Sequence, residues 1–413
     1  MAESRSSEVN EASPTHVPEA SPTHVPEARP ARAKFGRRLF MAVVVALIVV
    51  LLFGVPLWTV FFAGSDWPVA VRIVGSLLIV GAAVALPAAM VAGHARSHDG
   101  AARIGDTLLG AVWILFVWSA IGALLGVVLG LVGLEDPFRS RLIAVAVVIV
   151  VAALLAWGHV EAMRVPRVVR RDVLVPRLGS DLDGLRVVMI TDTHYGPIDR
   201  ADWSAKVVEV VNELEPDIAC HIGDLADGSV ARRRHQVEPL RGVQARLAKV
   251  YVTGNHEYFG EAQAWLEHME SIGWTALHNK HIVVGQGNDR LVLAGVDDRT
   301  AAGSRVEGHG ADLDRALDGA DSDLPVFLLA HQPKQIDDAV RRGVDVQVSG
   351  HTHGGQIWPF EYLVRLDQPT VHGLSRHGER TQLYTSRGTG YWGPPFRVFA
   401  PSEITVLTLR SAQ

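Results

Sequence analysis

Ser349-Gly350-His351-Thr352-His353-Gly354-Gly355-Gln356 closes the apolar run Val344-Asp345-Val346-Gln347-Val348, and how it is read decides how the rest of the chain is read. Residues two apart in a strand share a face. In a glycine-flanked turn, two imidazoles can point into one cavity, an arrangement that suits a divalent cation. Taken alone, such a pair is more often surface or core decoration than a ligand pair. Its company upstream decides.

The 413 residues are enough for two or three domains, with 48% hydrophobic and only 20% charged. The apolar excess is concentrated before about residue 160, so a membrane part precedes a soluble part of ordinary domain size. A formal net charge of -5 offers no general attraction to nucleic acid. The single cysteine, Cys220, excludes an intrachain disulfide framework and any thiolate-built metal site, so a bound metal must use N and O donors. Cys220 itself reads as a buried core thiol.

The segment Glu11 to Pro26 repeats Glu-Ala-Ser-Pro-Thr-His-Val-Pro twice and is too proline-rich to fold compactly. Residues 1–36 therefore read as a disordered segment, without chemistry assigned to His16 or His24. Nearly charge-free runs from Leu39 to Phe62, Val71 to Ala92, Leu108 to Leu134 and Leu142 to Trp157 predict four transmembrane helices within 37–160. The last run is short, and a buried soluble helix is its alternative. Arg29, Arg32, Lys34, Arg37 and Arg38 precede the first span, and Arg164, Arg167, Arg170 and Arg171 follow the last, which predicts both ends in the cytoplasm. Gly36-Arg37-Arg38-Leu39-Phe40 faintly resembles a twin-arginine export signal, which would make the soluble part extracytoplasmic.

Residues 161–184 read as a juxtamembrane linker, and from 185 to 413 short apolar runs alternate with helix-compatible segments in an α/β pattern. Strands are expected at Arg186 to Ile190, Asp217 to Ile222, Lys249 to Thr253, Arg290 to Val296, Pro325 to Ala330 and Val344 to Val348, with a helix at Ala205 to Leu214. Each expected strand ends in a polar cluster, and five of these clusters bear the candidate donors: Asp192-Thr193-His194, Gly223-Asp224, Gly254-Asn255-His256-Glu257, Ala330-His331-Gln332, and Gly350-His351-Thr352-His353. Ligand sites in open α/β sheets lie outside the carboxyl ends of the strands, so these loops would deliver their side chains to one rim. Carboxylate, amide and imidazole donors without thiolate suit a pair of divalent cations, with Mn, Fe or Zn all compatible. Two cations roughly 3.5–4 Å apart can hold a hydroxide between them and clamp a phosphoryl group.

In order and spacing, these five clusters resemble the motifs of the calcineurin-like metallophosphoesterases, over roughly Leu185 to Leu409. His353-Gly354-Gly355-Gln356-Ile357, Tyr384-Thr385-Ser386-Arg387-Gly388, Pro394-Pro395-Phe396-Arg397 and Glu403-Ile404 look like the bacterial membrane-associated branch. The resemblance implies a two-sheet β-sandwich flanked by helices, here behind a multi-pass helical anchor. It implies a metal-dependent hydrolase of phosphoric esters with two divalent metal ions. Asp192, His194 and His353 would hold one ion, Asn255, His331 and His351 the other, and Asp224 would bridge them. His256 would sit over the scissile phosphate as the catalytic residue, and Glu257 would support the loop or open a helix.

Taken singly, each cluster has an ordinary reading as a cap, a turn, a loop tip or a satisfied core imidazole. Five caps and turns would not be expected to give this donor set at successive strand ends. Asp227, Asp297 and Asp298 read as turn or supporting residues, His221 and His235 have no evident partner, and Arg387, Tyr391 and Trp392 fit pocket lining and loop packing equally. A membrane-tethered, non-catalytic binding or regulatory protein on the same fold is the alternative function, although it would need neither a bridging Asp224 nor His256 beside Asn255. A transporter with a regulatory domain is disfavoured because the spans lack buried charged pairs. A phosphoester is the expected substrate, and the short distance from Trp157 to Asp192, about 35 residues, makes a lipid-borne one a candidate.

Overall fold

The computed structural model describes residues 31–412, with side chains from residue 40, so the octapeptide repeat with His16 and His24 lies outside the described residues. The described chain divides into two units between Ile48 and Val49, within the first helix. Among the described residues, four helices are long and apolar enough to cross a membrane: α1 (Ala31–Leu57), α2 (Val69–Met90), α3 (Asp99–Leu131) and α4 (Phe138–Met163). α1 starts before residue 37, because its basic opening is no barrier to helix. α4 extends the short fourth run to 26 residues, long and apolar enough to cross a membrane. It continues past Trp157 because Glu161, which interrupts the apolar pattern, is buried against Arg167 and Arg164. Outward-facing Leu77, Leu124 and Leu131 show the lipid-facing surface such helices require.

The soluble part is a sandwich. Its strands are β1 (Arg167–Val175), β2 (Arg186–Ile190), β3 (Ile218–Ile222), β4 (Ala248–Val252), β5 (Thr275–Ala276) and β6 (Lys280–Gln286). They continue with β7 (Asp289–Gly295), β8 (Val326–Leu329), β9 (Val346–Ser349), β10 (Gly373–His377), β11 (Thr381–Thr385) and β12 (Glu403–Ser411). One six-stranded sheet has the order β1-β12-β2-β3-β4-β5 and the other β10-β11-β9-β8-β7-β6. Inward residues of both, among them Val187, Met189, Ile218, Cys220, Leu293, Phe327, Val348 and Leu407, form the core between the sheets. Helices α5 (Ala201–Glu213), α6 (Val230–Val237) and α7 (Ala262–Ser271) cover the outer face of the first sheet, presenting Trp203, Val207, Val237 and Trp265 to it.

The reading of 161–184 as a linker needs correction. β1 lies within it and pairs in parallel with β12 from Arg167–Glu403 to Val175–Ser411. Its arginines face outward along an edge strand, so charge hides the alternation that would have marked it. The consequence is mechanical. α4 leads through three residues directly into the sheet, and the soluble domain is clamped to the spans.

That clamp is a mixed apolar cluster in which Ile114, Ala144, Val147 and Val151 of α3 and α4 pack with Ile357, Phe396 and Val398 of the soluble domain. Gly110 of α3 permits the contact, because a Cβ there would lie 2.6 Å from Phe396 and 2.9 Å from Pro394. Arg397 N donates to the Gly158 carbonyl at 2.9 Å. A fragment beginning at Arg164 strips this cover from Ile357, Phe396 and Val398. It is expected to aggregate or bind detergent in size-exclusion chromatography, while the full chain in detergent runs as a single species. A fragment that stays monodisperse without detergent removes the structural role assigned to the junction.

Candidate metal centre

Asp192 and His194 follow β2, Asp224 follows β3, Asn255 and His256 follow β4, His331 follows β8, and His351 and His353 follow β9. Three of these strands belong to one sheet and two to the other. β2, β3 and β4 run parallel in the first, β8 and β9 in the second, so both sheets present carboxyl ends to the same place. The sequence reading anticipated one rim, and the structure builds it from two.

The candidate ligands fall into two groups whose donor atoms lie within 4.8 Å of one another: Asp192, His194 and His353, and Asp224, His331 and His351. Asn255 joins the second, with Oδ1 2.9 Å from His351 Nδ1. Asp224 Oδ2 lies 3.5 Å from His194 Nε2 and 3.1 Å from His331 Nε2, between the two groups. His331 Nδ1 donates to the Ile222 carbonyl at 2.7 Å, which turns Nε2 toward the donor set; burial works against charge on this ring, but Asp224 raises it well above the usual imidazole range, and a cation would take the place of that proton. Although Asp224 is close, Nε2 has no partner in hydrogen-bonding direction and is fully buried. A buried nitrogen without a partner is costly, and a cation would satisfy it. Burial holds His351 down to about 3 and His353 well below the usual imidazole range, so both stay neutral donors.

The backbone is strained where these side chains converge. Asp192, His194, Asp224, His351 and His353 all have positive φ, from 43° to 70°. Gly254 allows the loops to meet, because a Cβ on it would lie 2.2 Å from Asp224 Oδ1. Buried Glu257 stitches them together. It opens the turn Glu257–Phe259 and accepts from Gly254 N at 2.6 Å, Leu225 N at 2.8 Å and Asp224 N at 3.1 Å.

Asp227 does more than a turn residue would. Its Oδ1 accepts from His194 Nδ1 at 3.0 Å and from His256 Nδ1 at 2.6 Å, so one carboxylate orients a candidate ligand and the candidate catalytic residue. Burial pushes its carboxyl up, but His194 and His256 outweigh that and hold it well below the usual range. Burial also works against charge on His256, yet Asp224 and Asp227 raise it to about 9. Bound cations would oppose that rise. Asp227 was legible in principle, since Asp224-Leu225-Ala226-Asp227 returns a second carboxylate to the same loop.

Arg397 is also more than a resemblance to the branch. Fully buried, it donates to the carbonyls of Ala400, Gly390, Arg387 and His353, and lies 3.2 Å from His353 Nδ1. Trp392 presents its ring at 74° to His256, 5.9 Å away, whereas Tyr391 stacks under Arg200 and Arg387 approaches His372. His221 contacts Thr193 Oγ1 at 3.1 Å and His235 lies 3.3 Å from Asp199, so both have partners away from the donor groups. Asp298 accepts from Gln332, and Asp297 joins His278 and His309 in a separate network.

Asp227→Asn is expected to leave the fold intact and to lower metal affinity or ester hydrolysis by roughly 10–100-fold, the usual effect of losing the group behind a ligand. Metal content and turnover measured on the same preparation check it. Values equal to the parent protein's would return Asp227 to the role of a turn residue.

Residues 185–355 match the calcineurin-like phosphoesterase family. The chain is 40% identical over 284 residues to a transmembrane protein with metallophosphoesterase domain from Danio rerio, covering 67% of this chain and 64% of that one. It is 34% identical over 304 residues to an uncharacterized metallophosphoesterase of Campylobacter jejuni, covering 72% of this chain and 79% of that one. An uncharacterized metallophosphoesterase of Aquifex aeolicus is 30% identical over 266 residues, 63% of this chain and 98% of its own length. The chain thus spans somewhat less than two thirds of the Danio rerio relative and nearly all of the Aquifex aeolicus one. With four membrane-capable helices ahead of a sandwich whose strand ends carry the family's motifs, the chain is a membrane protein and belongs to the calcineurin-like metallophosphoesterase family.

Proposed function

We propose that this protein hydrolyses a phosphoric ester carried by a lipid, at a dinuclear centre held by Asp192, His194, Asp224, Asn255, His331, His351 and His353. The observation that carries the reading is Asp224 Oδ2 lying between His194 and His331, each nitrogen within 3.5 Å of it. When bound, the two cations would supply Lewis-acid polarisation of the phosphoryl oxygens and lower the pKa of water. Asp224 would share its carboxylate between them. Asp227 would hold His194 and His256 in fixed orientations, and His256 would deliver its proton to the leaving alkoxide as the P–O bond breaks. Water supplies the new P–O bond, so the products are the alcohol and the phosphate.

Asp224→Asn is expected to abolish nearly all turnover in a folded protein, because the shared charge is lost. His256→Ala is expected to keep both metals and lose roughly 10²–10⁴-fold in rate. Metal analysis beside kinetics separates the two roles. Near-parental turnover in Asp224→Asn would defeat the dinuclear reading, and metal loss in His256→Ala would make that residue a ligand.

The lipid-borne ester is supported by the wall of the cleft. A cavity of about 580 Å³ reaches from His194, Asn255 and His256 to Leu109, Gly110 and Trp113 of α3, with Phe360 and Leu363 along it. Those α3 residues open the charge-free run of a membrane span, so apolar substrate atoms would be accepted where the bilayer begins. In vesicles, the full chain is expected to hydrolyse a phospholipid-like ester in preference to a water-soluble ester of similar intrinsic reactivity. Trp113→Ala should erode that preference roughly tenfold. Equal rates on the two esters in the parent protein would leave the spans with location alone.

The catalytic domain faces the cytoplasm in this reading, supported by Arg164, Arg167, Arg170 and Arg171 directly after α4. A reporter fused after Gln413 should behave as cytoplasmic. Activity of a strictly extracytoplasmic reporter at that position would reverse the topology.

A further inference from the structure

The turn that carries His351 and His353 does not return to water. It runs into Ile357-Trp358-Pro359-Phe360-Glu361-Tyr362-Leu363-Val364-Arg365-Leu366, which lies alongside the spans. Phe360 packs edge-on against Trp113 at 5.7 Å, and Trp358 lies 6.2 Å from Trp118, both tryptophans on α3. Phe399, 6.4 Å from Trp358, packs at 5.6 Å on Trp157 of α4. Trp113 Nε1 donates to the Ile357 carbonyl at 3.3 Å.

These contacts set a depth. The charge-free run of α3 begins at Leu108, and Trp113 and Trp118 lie five and ten residues beyond it, about 7 and 15 Å of helix rise. Half of a hydrocarbon layer is about 15 Å. Residues beside Trp113 and Trp118 therefore reach below the headgroups of one leaflet.

The segment's surface fits that place. Leu366 is 84% exposed, and Tyr362, Leu363 and Phe399 are exposed beside it, an apolar patch continuous with the lipid-facing helices. Its backbone fits as well. Trp358 N donates to Val398 O, Phe360 N to Ile357 O, Tyr362 N to Pro359 O, Leu363 N and Val364 N to Phe360 O, Arg365 N to Glu361 O, and Leu366 N to Leu363 O. Irregular backbone at membrane depth is tolerated when its polar groups are satisfied within the protein. Arg365 is exposed and long enough to snorkel, Glu361 packs its backbone against Gly355, and Asp367 pairs with Lys334 where the segment leaves.

We propose that Ile357–Leu366 is a wedge inserted into the bilayer beside α3 and α4, with lipid as its partner. It tethers the turn bearing His351 and His353 to the membrane surface, independently of what reaction occurs there.

Site-specific labelling tests it in the full chain reconstituted in phosphatidylcholine–phosphatidylglycerol vesicles. Cys220 is the single cysteine and is buried, so an environment-sensitive dye can be placed on Leu366→Cys or Tyr362→Cys with little background. Glu379→Cys serves as the water-exposed control, because Glu379 precedes β11 at the end of the sheet away from the site. Nitroxide on the lipid acyl chains is expected to quench the dye at 366 and 362 several-fold more than at 379, with aqueous iodide showing the reverse. If one variant fails to fold, the other carries the test. Quenching at 366 and 362 no greater than at 379 overturns the proposal. So does a dye there shielded from both quenchers, which would mean that a protein partner covers the patch.

Discussion

The structure depends on holding Asp192 and Asp224, both almost fully buried, within reach of four imidazoles at the seam of two sheets. Carboxylates out of water are expensive unless paired. Here the pairing partners are histidines, whose neutral forms are donors for a cation and whose protonated forms would be counter-ions. Five candidate ligands with left-handed backbone add strain at about 1 kcal/mol each or more. That sum of ~5 kcal/mol approaches the whole stability of an ordinary domain. A layered core of Val, Ile, Leu and Phe, filled on both faces of both sheets, is what offsets it.

The same constraint explains why the site is rigid. Glu257 fastens the loops after β3 and β4 through four backbone N–H groups, and the Ile222 carbonyl reaches across from one sheet to orient His331 of the other. Asp192 Oδ1 accepts from His351 N at 2.9 Å, closing the ring from the opposite side. Each loop is thus held by a group on another loop. No donor can shift alone.

Much of this was legible because strand-end chemistry is local. A short β-branched run followed by Asp-x-His or Gly-Asp places its donor regardless of which sheet the strand joins, and for that reason the sequence could not say that two sheets share the rim. The four spans were legible because length and absence of charge define them. β1 was not, since its arginines face water on an edge, and β12, with nine residues paired to β1 and four to β2, could not be distinguished from the resemblance in the tail. Asp227 read as either a turn or a supporting residue, because an Asp before Gly228 suits both. Only the positions of His194 and His256 show that it serves both.

The junction with the membrane follows from the rim. Strands β2, β3, β4, β8 and β9 all end at one rim, and beside it the loops after β9 and β11 carry Ile357, Phe360, Phe396 and Val398 as a single apolar-edged surface. Such a surface must be covered, and α3 and α4 cover it through Gly110 and Gly158, where a Cβ would strike Phe396 or Val398. The span is therefore part of the catalytic domain's packing as well as its tether. Because Gln356 binds the Trp392 and Pro394 carbonyls while its neighbours bear His353, any displacement of the loops on α3 is transmitted within a few residues to the donor set. The packing of these loops on α3 and the geometry of the candidate donor set are in this way one mechanical unit.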